Sequence, residues 1–386
     1  MRGKTRYRII AGTCVAWLIA SAIYCPPPLQ AQSAVPKYEI DPFWAKLPDN
    51  WVVGPLGGAC IDAQDHVFVL HRQEGVTEAM LTGRDRSDGA KARIKAPPVM
   101  EFDPQGNVVN SWGDAKVLGD YLHDCLVDKD MNVWIAAARS GILQKYSRDG
   151  KLLFQIGRSG VFDSSDGTAK GKPLNSNAAQ FFGPSAVDVD PQNGDVYVAD
   201  GHGGGNTRIA VLDKNGEFLR QWRLHHTEAE KGIEELPHCM RLSNDGLVYV
   251  CDRLANRLQV FDKMGNFKKN IPISFEQRSQ YTTTGPGHAP GSWGLVVPGA
   301  WGTAVSATFS RDREQKFMFV SNEDDEQVEI LDRASGRILS SFGRVGHQMG
   351  EFTHLHHTTI DSKGNIYVGE VGVGERVQKF KIVGSQ

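Results

Sequence analysis

The sequence predicts an all-β chain closed into a six-bladed β-propeller, with four antiparallel strands in each blade. Three observations point there. Short apolar runs alternate with turns along a chain of 386 residues that holds 42 glycines and 18 prolines. One phrase recurs: an apolar strand, a polar turn, a strand of the Val-Tyr-Val type, a third strand, then Asp-x-x-Gly and a fourth strand. Helical spacing of apolar residues over a dozen positions is absent outside the N-terminal apolar stretch. Four-stranded units repeated at this length protect their edges by radial arrangement, which is the propeller solution.

The units follow in order. The first is interrupted: LGGACIDAQDHVFVLHR starts at Leu56, and MEFDPQGNVVNSWG completes it from Met100. The second starts at Tyr121, the third at Gly183, and the clearest copy runs from Leu236 to Ile273. A fainter copy starts at Gly302, and the sixth starts at Phe352 with only three strands before Gln386. The segment from Tyr38 to Leu47 is expected to supply the missing outer strand and close the ring. Inserts at Gln73–Ala96, Arg158–Gln180 and Ser274–Ala300 are long for compact connections and are expected to roof one face.

Charge and composition exclude some functions. Lys and Arg number 43 against 45 Asp and Glu, a formal charge of −2, so no basic face for nucleic acid is expected. A hydrophobic share of 40% with 23% charged residues argues against extensive disorder. Arg2, Lys4, Arg6 and Arg8 precede an apolar stretch, Ile9 to Tyr24, and Pro26-Pro27-Pro28 leads to Ala31-Gln32. That is the layout of a secretory signal peptide over 1–31, leaving a propeller domain over 32–386. The protein is therefore expected to be secreted or periplasmic, monomeric, and free of the membrane once the signal is removed. No later segment reaches the roughly 17–25 apolar residues that a span needs.

Signal removal takes Cys14 and Cys25 and leaves Cys60, Cys125, Cys239 and Cys251. No CxxC spacing occurs, so a thiolate zinc site is not expected. Cys239 and Cys251 flank a predicted hairpin symmetrically about Asp245; the spacing leaves their pairing open.

Aligned on their turn glycines, units two, four and six carry His123, His238 and His356 at one register. The odd units carry Gly58, Ser185 and a small residue near Ala304. Alternate blades of a six-fold ring stand about 120° apart, with their first strands lining the channel. Three imidazoles at one height therefore converge on the axis, a ligand set suited to Zn²⁺ with one position left open. Iron, copper and nickel also accept imidazole. In the run His354-Leu355-His356-His357, strand alternation predicts that His354 and His356 point together and His357 faces away. The acidic run Glu323-Asp324-Asp325-Glu326 reads as an exposed turn. His225-His226 with the charged stretch Glu228–Glu235 reads as a solvated loop.

With these features the chain resembles NHL-repeat propellers, and the alternating histidines resemble peptidyl-α-hydroxyglycine α-amidating lyase. The resemblance covers about Asp49 to Val383. It rests on Leu70-His71-Arg72, the starts Leu122-His123, Pro237-His238 and Leu355-His356, Val198-Ala199-Asp200-Gly201, and Cys251-Asp252-Arg253. It implies an axial zinc on His123, His238 and His356, with active-site arginines at Arg72 and Arg253. This chain departs from the family at three positions. His202, before Gly203-Gly204-Gly205, stands where the family has a catalytic tyrosine. His354 replaces a methionine, and His357 replaces an aspartate that binds a structural Ca²⁺.

The implied reaction splits R–CO–NH–CH(OH)–COO⁻ into an amide and glyoxylate. The substrate expected is a small molecule or peptide with a carboxylate. Arg72 or Arg253 would hold that carboxylate, and His202 would accept the hydroxyl proton. A small-molecule carbinolamide such as ureidoglycolate needs the same groups. The reading from a different class is a noncatalytic propeller that binds a ligand or protein on its loop face.

Overall fold

The computed structural model describes Gly3 and residues 34–82, 92–274, 302–372 and 374–385. The proposed signal segment lies outside these residues, apart from Gly3, as does most of the Ser274–Ala300 insert. Val35–Gln386 forms one compact unit, and it is a propeller of six four-stranded antiparallel sheets.

Blade 1 comprises Leu56–Ile61, Val67–His71, Val99–Phe102 and Val108–Trp112. Blade 2 comprises Leu122–Val127, Val133–Ala137, Ile142–Tyr146 and Leu152–Ile156. Blades 3 and 4 begin with Pro184–Val189 and Pro237–Leu242, and blades 5 and 6 with Ala304–Phe309 and Leu355–Ile360. Each of these first strands contacts the first strand of the next blade, and the sixth contacts the first, so together they line the channel. The second strands are buried almost end to end, as in Val-Tyr-Val-Ala-Asp over Val196–Asp200, whereas the outer strands alternate toward solvent. β-Branched and aromatic residues fill the second strands because both faces pack against neighbouring blades.

Pro36–Asp41 pairs antiparallel with Val377–Ser385 and becomes the outer strand of blade 6, as strand counting predicts. Chain start and chain end thus share one sheet. Tyr38 and Ile40 pack on the apolar layer between blades 5 and 6, where Phe319, Phe352 and Phe380 are buried. A layer of this kind fills every blade interface, including the seam of blades 6 and 1 around Trp44, Leu56, Phe102 and Tyr367. The Arg158–Gln180 insert docks on blade 3: Asp163 accepts from Asn206 Nδ2 at 2.7 Å and lies 3.3 Å from Arg208 Nη2.

Two disulfides form. Cys239–Cys251 joins the first two strands of blade 4, with 4.9 Å between Cα atoms. Cys60–Cys125 links the first strands of blades 1 and 2 across 65 residues and 5.6 Å. The second bridge has no local signature, because its cysteines belong to different repeats. Among the described residues, no helix is long and apolar enough to cross a membrane.

Candidate metal centre

Each first strand begins with a break in its pairing. In blade 2, Leu122 pairs with Ala137 and Asp124 with Ala136, leaving His123 as the extra residue. The same break falls at Ser185, at Val305, at His356 and between Pro237 and Met240. In blade 1 it falls at Gly57. A bulge re-aims the side chain it carries, and here it turns one residue per blade toward the axis. The odd-blade equivalents are therefore Gly57 and Val305, one residue away from Gly58 and Ala304. A side chain at Gly57 has no room, since its Cβ would lie 2.0 Å from the Leu122 carbonyl oxygen.

His123, His238 and His356 each offer a ligand nitrogen within 4.8 Å of the other two. All three are buried, and their ring centres are 4.7 to 5.0 Å apart. The odd blades orient two of them: His123 Nδ1–H donates to the Ser185 carbonyl at 2.7 Å, and His238 Nδ1–H to that of Val305 at 2.8 Å. Those bonds fix the tautomer and leave each Nε2 with its lone pair inward. His123 Nε2 and His356 Nδ1 are buried without a hydrogen-bond partner among the described residues. Burial, then neighbouring imidazoles and Arg72 or Arg253, hold all three far below the usual histidine pKa, so the rings are neutral donors. This donor set fits a divalent ion with one or more open positions. Arg253 Nη1 donates to His238 Nε2 at 3.0 Å and would turn aside if that nitrogen took an ion.

A second set of positions, at the ends of the second strands, surrounds this ring. Arg72 follows His71, Arg253 follows Asp252 and Glu323 follows Asn322, while Arg139 and His202 come one residue later in blades 2 and 3. The two arginines differ in charge environment. Arg253 is paired with Glu323, whose other oxygen contacts His354 Nε2. Arg72, only 3% exposed, donates from Nε to the Leu122 carbonyl at 3.0 Å, and its Nη2 has no hydrogen-bond partner among the described residues. Its charge acts on His123, His202, His356 and His357.

His202 lies beside the triad, with ring centres 4.5 Å from His123 and 5.9 Å from His238. Asp200 anchors its loop by accepting from the Phe182 and Gly183 N–H groups and from Asn206 and Arg208. The His202 N–H donates to the Gly183 carbonyl at 2.9 Å, an approach that requires glycine there, since a Cβ would meet the His202 oxygen at 2.2 Å. Burial and the nearby charges of Arg72, Arg253 and Arg139 hold its pKa down to about 3.

Two expectations need correction. Alternation fails for the last histidines because the bulge at His356 interrupts it. His357 is buried 4.4 Å from the His356 ring with Nδ1 3.6 Å from Asp124, while His354 has φ +66° and turns to Glu323. The run Glu323–Glu326 is buried, and Glu326 accepts from the His354 and Leu355 N–H groups at 2.6 and 2.9 Å, so it holds the start of blade 6. The His225–Glu235 loop is largely exposed, as the sequence led one to expect, and is tied down through His226 to Asp252 at 3.0 Å, Glu230 to Arg257, and Glu235 to Arg223. Sequence reasoning also missed Tyr121, whose ring lies 3.5 Å from the Arg72 guanidinium carbon and 5.1 Å from His202. A further cluster, Asp62, His66 and Glu101, is filled by the Arg148 guanidinium, which joins blades 1 and 2.

Fold and site together define a class: a six-bladed propeller with three imidazoles converging on its axis. No protein-family model matches the chain. Its homologues are NHL repeat-containing and peptidylglycine α-amidating proteins. Human NHL repeat-containing protein 3 is 29% identical, over 96% of this chain and 94% of that one. Peptidyl-glycine alpha-amidating monooxygenase A of Xenopus laevis is 28% identical over 83% of this chain but 31% of its own length. The chain thus spans about a third of the length of the amidating enzymes it matches. A crystal structure of a protein of unknown function from Bacteroides thetaiotaomicron is similar at a TM-score of 0.53, with 13% identity, over 86% of this chain and 70% of that one. That likeness concerns the fold alone.

Proposed function

We propose that the chain is an exported, metal-dependent lyase that cleaves the C–N bond of an α-hydroxyglycine to give an amide and glyoxylate. The observation that carries this reading is a buried guanidinium, Arg72, that has no carboxylate partner among the described residues and acts on a cluster of neutral imidazoles. A buried cation without a counter-ion is costly unless a ligand supplies the negative charge, and a carboxylate is the simplest such ligand. His123, His238 and His356 would hold the ion, for which zinc is the first choice by ligand type. When bound, the ion would supply Lewis acidity toward the substrate hydroxyl.

The residues of this chain do the rest. Arg72 fixes the carboxylate and so orients the carbinol carbon toward the imidazoles. A carboxylate on Arg72 offsets part of the positive charge that holds the His202 pKa down. His202 then accepts the hydroxyl proton, the C–N bond breaks as the carbonyl of glyoxylate forms, and the same proton passes to the departing amide nitrogen. Atoms and charge balance without a further reactant. Arg253, already neutralised by Glu323, holds the Glu323–His354 pair beside the imidazoles in this scheme. Two disulfides fit an oxidising compartment, as export through residues 1–31 would require.

End-to-end similarity to an NHL repeat-containing protein favours one other reading, a noncatalytic propeller. Metal content of the purified protein and glyoxylate release from α-hydroxyglycine compounds separate the two. Bound metal with glyoxylate formation is expected; metal-free protein without turnover would favour the binding module.

A further inference from the structure

The rim of the site holds a cation that the scheme above does not use. Arg139 lies on the three-residue turn Ala138–Ser140 after the second strand of blade 2, at the repeat step that gives His202 in blade 3. The turn is held from three sides. Ala138 N–H donates to the Tyr121 carbonyl at 3.0 Å, Asp120 N–H to the Ser140 hydroxyl at 2.7 Å, and Gly160 N–H to the Ser140 carbonyl at 3.0 Å. The Arg139 guanidinium carbon is 4.2 Å from the centre of the Tyr121 ring, and that of Arg72 is 3.5 Å from the same centre.

Two cations thus share one aromatic ring, so their guanidinium carbons are at most about 8 Å apart. Neither has a carboxylate within ion-pair distance among the described residues. Glu74 acts on Arg72 only from further away. The ring itself is under constraint: Tyr121 is buried and has φ +61°, a conformation that a non-glycine residue holds only when its surroundings impose it. One carboxylate on Arg72 answers the buried charge and leaves the exposed Arg139, at its own contact with the Tyr121 ring, open to a second anion.

We propose that Arg139 is a specificity-determining residue that receives a second carboxylate. The ligand class of the site is then a dicarboxylate: an α-hydroxyglycine whose acyl group carries its own acid. This rests on the reading that Arg72 takes the first carboxylate. The shared Tyr121 ring keeps the two guanidinium groups within about 8 Å of each other, so the site selects for chain length between the acids as well as for charge.

Calorimetric titration of the purified protein with glutarate and with pentanoate tests the proposal without requiring turnover. The wild type is expected to bind glutarate about tenfold or more tightly than pentanoate, the worth of one charge-assisted pair. Arg139→Gln should reduce that preference to below about threefold, and Arg139→Lys should retain part of it. Equal binding of the two acids by the wild type, or an unchanged preference in Arg139→Gln, overturns the inference while leaving the role of Arg72 standing. Arg72→Gln should weaken both acids; undiminished binding there overturns the first-carboxylate reading separately. A wild type that binds neither acid overturns both.

Discussion

A histidine in a strand ordinarily points wherever the pleat sends it. In this propeller each axial histidine sits at a bulge, so its direction follows from a break in pairing and not from parity. His123 and His238 are then locked by carbonyls of the following blade. His238→Ala should therefore remove the bound ion as well as activity, and elemental mass spectrometry of the purified variant reads this directly. Full metal stoichiometry in that variant would take His238 out of the ligand set. The arginines should separate in the same spirit. Arg72→Gln is expected to weaken a carboxylate ligand by about 10- to 100-fold, the usual worth of hydrogen bonds to a charged group. Arg253→Gln should have the smaller effect on carboxylate affinity, because Glu323 already answers its charge. Competitive inhibition by simple carboxylates gives both numbers, and a reversed order would exchange the two roles.

Strands and turns act as the frame for these residues. The disulfide Cys239–Cys251 spans the bulge that carries His238, and Cys60–Cys125 begins two residues after His123 in the same first strand. Both staples therefore stiffen the elements that present imidazoles. On the chain-entropy account, closing the 65-residue loop is worth about 4 kcal/mol. The double variant Cys60→Ser/Cys125→Ser should lose stability on that order in denaturant titration. Its metal affinity should fall as well, because the first strands of blades 1 and 2 would no longer be tied. A loss below about 1 kcal/mol would show that the blade interface alone sets their spacing. The loop of His202 illustrates the same dependence, since Asp200 satisfies donors from four residues to hold it.

For the molecule as a whole, stability depends on ring closure. Pro36–Asp41 completes blade 6, and each blade interface carries its own apolar layer. Deleting residues 36–41 should leave Val377–Ser385 as an unpaired edge, lower the melting temperature and promote association through that edge. Phe319→Ala, in the layer between blades 5 and 6, should cost about 3–5 kcal/mol through the cavity it leaves. Thermal melts and size-exclusion chromatography check both. A deletion variant that melts like the full chain would mean that closure by this strand adds little.

Repeat length, strand count and the alternate-blade histidines were legible in the sequence because each is a local pattern: two-residue periodicity, turn residues, and a register counted within one repeat. The closing strand was legible too, since a three-stranded last unit needs a partner. What the tertiary structure alone decided involves groups far apart in the chain. The bulge at His356 brought His357 toward the site, and the positive φ of His354 turned it to Glu323. Glu323 neutralised Arg253 from the neighbouring blade, Arg72 was left buried without a counter-charge, and Cys60 met Cys125. Strand pairing in three dimensions sets those outcomes, because a one-residue slip between distant strands changes which side chain faces the axis while leaving the local pattern of each repeat unaltered.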